Sequence, residues 1–411
     1  MSRRPRVWLA AAGAAVLLAV VPAAPAAAGG APAISAPSAI VVEASSGDVV
    51  YARKPRERRP IASTTKLMTA LVTLERVGLG DVFTSPGYSG EPAETTIGLK
   101  AGERLSVRDL LTALLLESAN DSAVTLAEGV AGSQDAFVRE MNARARRLGL
   151  RDTSFSNPIG LDAPDNYSTA ADLVKLAAAL RRIPFARRTV DRREATIRTG
   201  RKVRRLENSN DLLAESKSVN GVKTGHTNRA GYLLVGSATR KGVTVYSAVL
   251  GEPSDAARNA DSLALLDYGL SRYRLARIVR DRGTYGSTAV RYRTEDRIPL
   301  VAAAGLRRVV KRGARIRVTA AGLPAELEGP LPRGTRAGTL IARVDGKVVA
   351  RIPLVTAAAV PEVSLWERAG AFLTKPGTLA VGIAILVAAL AGAALWRRRR
   401  SRRREPEAEP A

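Results

Sequence analysis

The C-terminal region contains a run from Gly377 to Trp396 that no charged residue interrupts. Its length matches the roughly 20 apolar residues that a helix needs to cross a bilayer. Trp396 ends the run at an interfacial position, and Arg397–Arg400 and Arg402–Arg404 follow it. Because basic residues stay on the cytoplasmic side of a span, the pattern predicts a cytoplasmic tail and an extracytoplasmic body tethered to the cell membrane. The folded body must therefore be built from the chain before residue 377.

The N-terminus carries a second targeting signal. Arg3, Arg4 and Arg6 precede an apolar run over residues 7–21, and Ala26-Ala27-Ala28 supplies a small-residue cleavage site. This order of basic, apolar and small residues is typical of a secretory signal peptide. A retained N-terminal anchor is the alternative, but the apolar run is short for a span. The sequence predicts export and removal of residues 1–28.

The side-chain inventory excludes one common class of hydrolase site and restricts another to a single residue. The chain has no cysteine and a single histidine, His226. A zinc site that draws several ligands from histidine and cysteine is therefore excluded, and we expect no metal or other cofactor. A Ser-His-Asp triad could use only His226. The absence of cysteine also rules out disulfides and is compatible with export.

The net charge of +26 would by itself suggest a nucleic-acid partner. Export argues against nucleic acid, and many of the charges lie in the signal peptide and the arginine tail. The remaining excess, notably between Arg181 and Arg205, is expected to face anionic wall polymers or lipid headgroups, or to be a solvated basic face.

Strand patterns near both ends of residues 38–279 enclose a helical middle. β-Branched runs predict a hairpin over Ala39–Tyr51 and strands later in this region, whereas apolar residues at helical spacing predict helices. The predicted helices are Lys66–Arg76, Val107–Leu116, Ser122–Glu128, Gln134–Leu148, Ala170–Arg181 and Asp255–Leu270. The predicted later strands are Gly221–Lys223, Tyr232–Ala238 and Val243–Leu250. This order predicts an α+β fold in which an antiparallel sheet packs with helices.

A composition shift near Arg280 marks a second unit with short β patterns, including Arg315–Thr319, Thr339–Val344 and Val348–Leu354. It predicts a small all-β domain. The predicted order is a signal peptide (1–28), a linker (29–37), an α+β domain (38–279), a small β domain (280–357), a juxtamembrane linker (358–376), a transmembrane helix (377–396) and a cytoplasmic basic tail (397–411).

Three short motifs follow one another in the α+β domain. They are Ser63-Thr64-Thr65-Lys66, Ser118-Ala119-Asn120 and Lys223-Thr224-Gly225. Each motif is weak evidence by itself, and Ser-x-Asn recurs at Ser218–Asn220. We select the first copy because it follows a buried-looking helix, as a loop between two helices should. The ordered trio is typical of penicillin-binding proteins and serine β-lactamases.

Ser63 and Lys66 have the spacing that places two side chains on one face at the start of a helix. A hydroxyl is a poor nucleophile until a base removes its proton, and a neutral lysine can be that base. Lysine ionises near pH 10.4 in water, so the site must favour the uncharged form. Burial and a second cation both do so, and Lys223 is the candidate for that cation.

The chain resembles the low-molecular-mass penicillin-binding proteins that act as D-alanyl-D-alanine carboxypeptidases. The similarity covers about Ser38 to Ser271 and is weaker in the β domain. The matching segments are Pro60–Ala70, Glu117–Ala123, Asn157–Asp162, Tyr167–Ala170, Asn220–Thr227 and Ala230–Tyr232, then Leu327–Leu331 and Gly338–Leu340. The resemblance implies a serine β-lactamase/DD-peptidase-like fold, with 38–279 as the catalytic domain.

The resemblance also implies the catalytic roles. Ser63 would be acylated by the peptide carbonyl with Lys66 as its base. Ser118 would relay the proton to the departing amine, and Asn120 would hold the peptide and Lys66.

Substrate binding would use the strand that carries the third motif. Lys223 and Thr224 would bind the terminal carboxylate beside Gly225, with help from Arg258 in the last helix. The backbone N–H groups of Ser63 and His226 would form the oxyanion hole.

The implied substrate is a peptidoglycan stem peptide ending in D-Ala-D-Ala, with β-lactam antibiotics as covalent inhibitors. A class A β-lactamase also needs a carboxylate for deacylation. No glutamate occurs between Arg151 and Tyr167, and Ala119 replaces the aspartate common in its second motif. A DD-endopeptidase acting on cross-links, or a penicillin-binding wall sensor without turnover, would use the same residues and stays open.

Overall fold

The computed structural model describes residues 30–373 and 376–402. The signal peptide predicted for 1–28 and the end of the predicted tail lie outside these residues. The strands, in chain order, are β1 (Ser38–Glu43), β2 (Val49–Arg53), β3 (Arg59–Pro60), β4 (Val82–Thr84), β5 (Arg104–Ser106), β6 (Tyr167–Ser168), β7 (Glu194–Ile197), β8 (Arg204–Glu207), β9 (Val219–Thr227), β10 (Gly231–Arg240), β11 (Val243–Glu252), β12 (Tyr273–Val279), β13 (Thr284–Val290), β14 (Arg293–Ala302), β15 (Leu306–Lys311), β16 (Ile316–Ala321), β17 (Glu326–Leu327), β18 (Arg336–Val344) and β19 (Lys347–Thr356).

The helices are α1 (Lys66–Arg76), α2 (Val107–Leu116), α3 (Asn120–Ala131), α4 (Gln134–Arg147), α5 (Ala170–Arg181), α6 (Pro184–Val190), α7 (Leu212–Glu215), α8 (Asp255–Ser271), α9 (Leu365–Leu373) and α10 (Pro376–Arg402). Four of them begin after a serine or threonine whose hydroxyl accepts a backbone N–H of the first turn: Ser106, Ser133, Thr169 and Ser254. Such caps satisfy donors that the helix itself leaves unpaired and typically contribute about 1 kcal/mol each.

A five-stranded sheet with the order β2-β1-β11-β10-β9 forms the centre of the α+β domain. Its neighbouring strands are all antiparallel, and β1 pairs with β11 from Ser38 opposite Leu250 to Glu43 opposite Val245. The first strand of this sheet in sequence therefore pairs with its last strand. The α+β class and the antiparallel sheet predicted from the sequence are confirmed.

Both faces of this sheet are covered, because successive side chains of a strand point to opposite sides. Leu233 and Val235 of β10 pack into the core formed with the helices that follow β2, whereas Leu234 packs with α8 on the other face. From α8, Leu265 and Leu266 belong to that second core. The sheet is thus a layer between a helical subdomain and one long helix.

The β domain contains a six-stranded sheet with the order β16-β18-β19-β14-β13-β17, and β12 pairs with β15 beside it. Leu300, Leu340 and Leu354 are buried in its core. Tyr273, at the start of β12, donates its hydroxyl to Asp48 in the turn between β1 and β2 at 3.1 Å. The all-β character predicted for this part is confirmed.

The C-terminal helix α10 contains a candidate span, Leu379–Arg400, and an 18-residue window within it has a mean hydropathy of 2.4. In the part of the chain that the structure describes, this is the one helix long and apolar enough to cross a membrane. Its apolar side chains face outward, as at Leu386 and Leu390.

Asp121 ties the segment before β5 to the beginning of α3. Its buried carboxylate accepts the backbone N–H groups of Ile97 and Leu99, at 3.1 and 2.9 Å, and that of Ser122 at 2.8 Å. Buried backbone donors cost free energy when they lack an acceptor. One side chain therefore anchors a loop that has little regular structure of its own.

We expect Asp121→Ala to lower the free energy of unfolding by about 3 kcal/mol, because buried N–H groups lose a charged acceptor. Urea unfolding followed by far-ultraviolet circular dichroism measures this, since the tryptophans lie outside the α+β domain. The control is Asp81→Ala, which removes one bond to Gly78 N at an exposed position and should change stability by less than about 1 kcal/mol. Equal losses in the two variants would contradict the anchoring role.

Candidate active site

A single 3₁₀ turn, Ala62–Thr65, leads directly into α1 and carries the predicted nucleophile. We call it the nucleophile turn. Lys66 is the first residue of α1, and its Nζ lies 2.9 Å from Ser63 Oγ. The turn and the helix are continuous, so the two side chains share one face as the spacing predicted. The hydroxyl and the amine are within proton-transfer distance.

Lys66 is fully buried, and its Nζ also donates to the carbonyl oxygen of Ile159 at 2.5 Å. Burial holds its pKa well below the usual lysine value, and the nearby charge of Lys223 lowers it further. Glu94 and Asp121 act in the opposite direction but do not outweigh burial. The structure therefore favours a neutral amine that can accept a proton from Ser63.

The loop that carries Ile159 is pressed against the nucleophile turn. Asn157 Oδ1 accepts the backbone N–H of Gly160 at 2.6 Å and so folds the loop back on itself. Gly160 has φ +95°, and a Cβ atom there would lie 2.1 Å from the carbonyl oxygen of Ala62. Only glycine fits this contact, which brings the Ile159 carbonyl to Lys66.

The second motif lies between α2 and α3, as expected. Ser118 has φ 69°, and among the described residues its buried Oγ has no hydrogen-bond partner. Asn120 begins α3, and its Nδ2 donates to Glu94 Oε2 at 2.6 Å. Within the same residues, the hydrogen bonds of the Lys66 amine go to Ser63 and Ile159, so Asn120 has a partner that the sequence did not indicate.

The third motif lies on β9, at the edge of the sheet. Lys223 is buried, and burial together with the charge of Arg258 lowers its pKa to about 7. Thr224 Oγ1 lies 2.7 Å from Ser209 Oγ. A Cβ at Gly225 would come within 3.2 Å of Ser63 N, so this glycine lets the strand pass close to the nucleophile turn.

His226 and Arg258 have different surroundings. The exposed His226 ring stacks on Tyr232 with centroids 4.0 Å apart. Arg258 is buried on α8, pairs with Asp255, and lies 3.6 Å from Asp211. Two acidic partners thus already bind the guanidinium. Its positive charge also lowers the pKa of Lys223.

A cavity of 480 Å³ connects these elements, and we call it the active-site cavity. Its lining is Ser63, Glu91, Ala93, Glu94, Thr95, Ser118, Asn120, Ile159, Gly160, Leu161, Asp162, His226, Thr227 and Asn228. Four of the predicted site residues line it, whereas Lys66 and Lys223 are buried behind its wall. The arrangement suits acyl transfer: a hydroxyl at the surface of a cavity with its base beneath it.

The sequence profile described as D-alanyl-D-alanine carboxypeptidase matches residues 25–254. The chain belongs to the D-alanyl-D-alanine carboxypeptidase family. A second profile, described as the C-terminal domain of penicillin-binding protein 5, matches residues 275–362. The family resemblance seen in the motifs is therefore confirmed across both domains.

Individual family members align over most of their length. The D-alanyl-D-alanine carboxypeptidase DacA of Escherichia coli K12 is 33% identical over 345 residues, which are 80% of this chain and 85% of that protein. DacF of Bacillus subtilis 168 is 30% identical over 328 residues, 78% and 84% of the two chains. The crystal structure of penicillin-binding protein 5 from Haemophilus influenzae matches with a TM-score of 0.58 at 28% identity, over 80% of this chain and 99% of that one.

The sequence did not indicate Glu94, an acidic side chain of the active-site cavity that contacts Asn120. It lies on the irregular segment between β4 and β5, which has no helical or strand periodicity. Its one signal is composition: acidic residues lie in a Pro- and Gly-containing loop directly before Ile97, which is buried. The contact of the Ile159 carbonyl with Lys66 could not be predicted either, because every residue has a backbone carbonyl whatever its identity.

We expect Gly160→Ala to reduce the rate of penicillin acylation at least about 100-fold, because the new methyl group must displace the loop from the nucleophile turn. Gly149→Ala is the matched control: its φ is also positive, at +68°, but nothing lies within 4 Å of the added carbon. Both variants place a side chain at a positive φ, but Gly160→Ala should lose more stability because its new methyl group clashes with the Ala62 carbonyl oxygen. In the folded protein, only Gly160→Ala should lose acylation. Comparable acylation in the two variants would contradict the role of this contact.

Proposed function

We propose that the protein is a serine-type D-alanyl-D-alanine carboxypeptidase that removes the terminal D-alanine from peptidoglycan stem peptides. The observation that carries this proposal is the 2.9 Å contact between Ser63 Oγ and the buried Lys66 Nζ. The family membership supplies the reaction class, and the site contains the nucleophile and base that this reaction needs.

Acylation begins when Ser63 Oγ attacks the carbonyl carbon of the peptide bond between the two D-alanines, and its proton passes to neutral Lys66. The backbone N–H groups of Ser63 and His226 stabilise the oxyanion; such donors typically contribute about 10²–10³ in rate. As the C–N bond breaks, the proton reaches the leaving amine through Ser118, whose Oγ has no other partner in the described structure. Water then attacks the acyl-enzyme, and Ser63 recovers its proton.

The terminal carboxylate of the substrate binds at the β9 edge. Lys223 and Thr224 receive it beside Gly225, and the positive charge of Arg258 supports them. With a pKa near 7 in the free site, Lys223 gains a proton readily when an anion arrives. β-Lactam antibiotics carry a carboxylate and a reactive carbonyl, so we expect them to acylate Ser63.

The location follows from α10 and its flanking charges. Arginines follow the apolar segment, and the positive-inside rule places them in the cytoplasm. The catalytic domain would then act outside the membrane, within reach of the cell wall. The segment boundaries derived from the sequence, with a signal peptide over 1–28 and a span over 377–396, are part of this proposal.

Ser63→Ala tests the function. We expect it to abolish both release of free D-alanine from a diacyl-L-Lys-D-Ala-D-Ala peptide and covalent labelling by a fluorescent penicillin, because both need the same hydroxyl. Ser218→Ala, in the second Ser-x-Asn sequence, should retain both. Labelling of the Ser63 variant would mean that the nucleophile is misassigned. Labelling of the wild type without D-alanine release would favour a DD-endopeptidase or a wall sensor.

Removal of residues 377–411 tests the anchor. We expect a soluble protein with unchanged D-alanine release, because the apolar segment lies outside both folded domains. Ultracentrifugation of cell fractions separates soluble from membrane-bound protein. If the truncated protein still sediments with membranes, the single C-terminal anchor is contradicted.

A further inference from the structure

A carboxylate that the catalytic steps above do not use lies in the active-site cavity. Glu94 lines this cavity together with Ser63, Ser118 and Asn120. Its Oε2 accepts hydrogen bonds from the Tyr88 hydroxyl and, at 2.6 Å, from Asn120 Nδ2. Its Oε1 accepts the backbone N–H of Glu91 at 3.1 Å. Three groups, two from one loop and one from a helix, thus hold the side chain in a defined place.

The contact with Asn120 determines how that amide is oriented. An ionised carboxylate only accepts hydrogen bonds, whereas an amide has one donor end and one acceptor end. Asn120 must therefore turn its NH₂ group towards Glu94. Its carbonyl oxygen is the end left to accept a donor, either the N–H of a bound peptide or the amine of Lys66. Without Glu94 the amide could take either orientation.

The negative charge of Glu94 also acts on the pKa of the base, Lys66. Burial raises its pKa, but the hydrogen bonds from Tyr88, the Glu91 backbone and Asn120 outweigh burial and hold the pKa below its usual value. The carboxylate is therefore charged at neutral pH. It favours the protonated form of Lys66, as does Asp121 on α3, whereas Lys223 on β9 favours the neutral form.

We propose that Glu94 is a positioning residue for acylation, which fixes the Asn120 amide and holds a negative charge beside the Ser63–Lys66 pair. This inference deepens the proposed function at the same site. It rests on acylation of Ser63 alone and does not require that D-alanine be the product.

The test is the pH dependence of penicillin acylation, measured on the full-length protein in detergent by rapid-quench labelling. In the wild type, acylation rises with pH as Lys66 loses its proton. Glu94→Gln keeps the size of the side chain but removes the charge, so the pKa of Lys66 should fall. We expect the rise to move to lower pH by about one unit, the smaller end of the effect of a nearby charge.

Two further variants separate charge from orientation. Glu94→Ala removes both, so we expect the same shift together with an about tenfold lower plateau rate, because Asn120 loses its anchor. Glu207→Gln removes an equal charge from an exposed position on β8, outside the lining of the active-site cavity. Its profile should match that of the wild type.

Three outcomes would overturn the proposal. An unshifted profile in Glu94→Gln would remove the electrostatic role, and an equal shift in Glu207→Gln would make it a general effect of the charge of the protein. Normal acylation with slowed deacylation would instead assign Glu94 to water activation. Because acylation and D-alanine release are scored separately, failure of this proposal is distinguishable from failure of the proposed carboxypeptidase activity.

Discussion

Lys66 is completely buried and lies 2.9 Å from the hydroxyl oxygen of Ser63. An ammonium ion in such a place loses its hydration, and a second lysine nearby adds repulsion, so the pKa of the amine is held well below its usual value. The close packing around the amine serves this constraint, because water would hydrate the ammonium ion and raise its pKa again. Acyl transfer without histidine thus depends on the exclusion of water from the lysine base more than on an unusual functional group.

Three segments that are distant in sequence exclude water from that amine. The nucleophile turn is at their centre, the loop at Gly160 contacts its Ala62 carbonyl, and β9 passes it at Gly225. A Cβ at either glycine would widen the gap, so both positions require the smallest residue. The rest of the fold supports this packing: the antiparallel sheet fixes β9, and the core around α1 fixes the turn.

The sequence predicts most of the fold because its patterns are local. The bounds of α1, α2 and α5 agree with prediction, since each has a strong apolar period, and α2 and α5 also follow a capping residue. The predicted nucleophile, base and strand motif meet at one cavity wall. Glu94 was missed because tertiary contacts alone hold its loop. The β7–β8 hairpin was missed because its two strands are only four residues long and contain charged residues. Long-range hydrogen bonds leave no periodic pattern to detect.

The position of β1 has a consequence for the timing of folding. β1 lies inside the sheet between β2 and β11, and β11 is the last sheet strand to be synthesised. Pairing over such a separation is slow, because a long loop must close first. Ser63 and Lys66 lie between β1 and β11 in the sequence, so the catalytic pair is synthesised well before the strand that completes the sheet. The site can therefore be complete only after the chain has been made as far as Glu252.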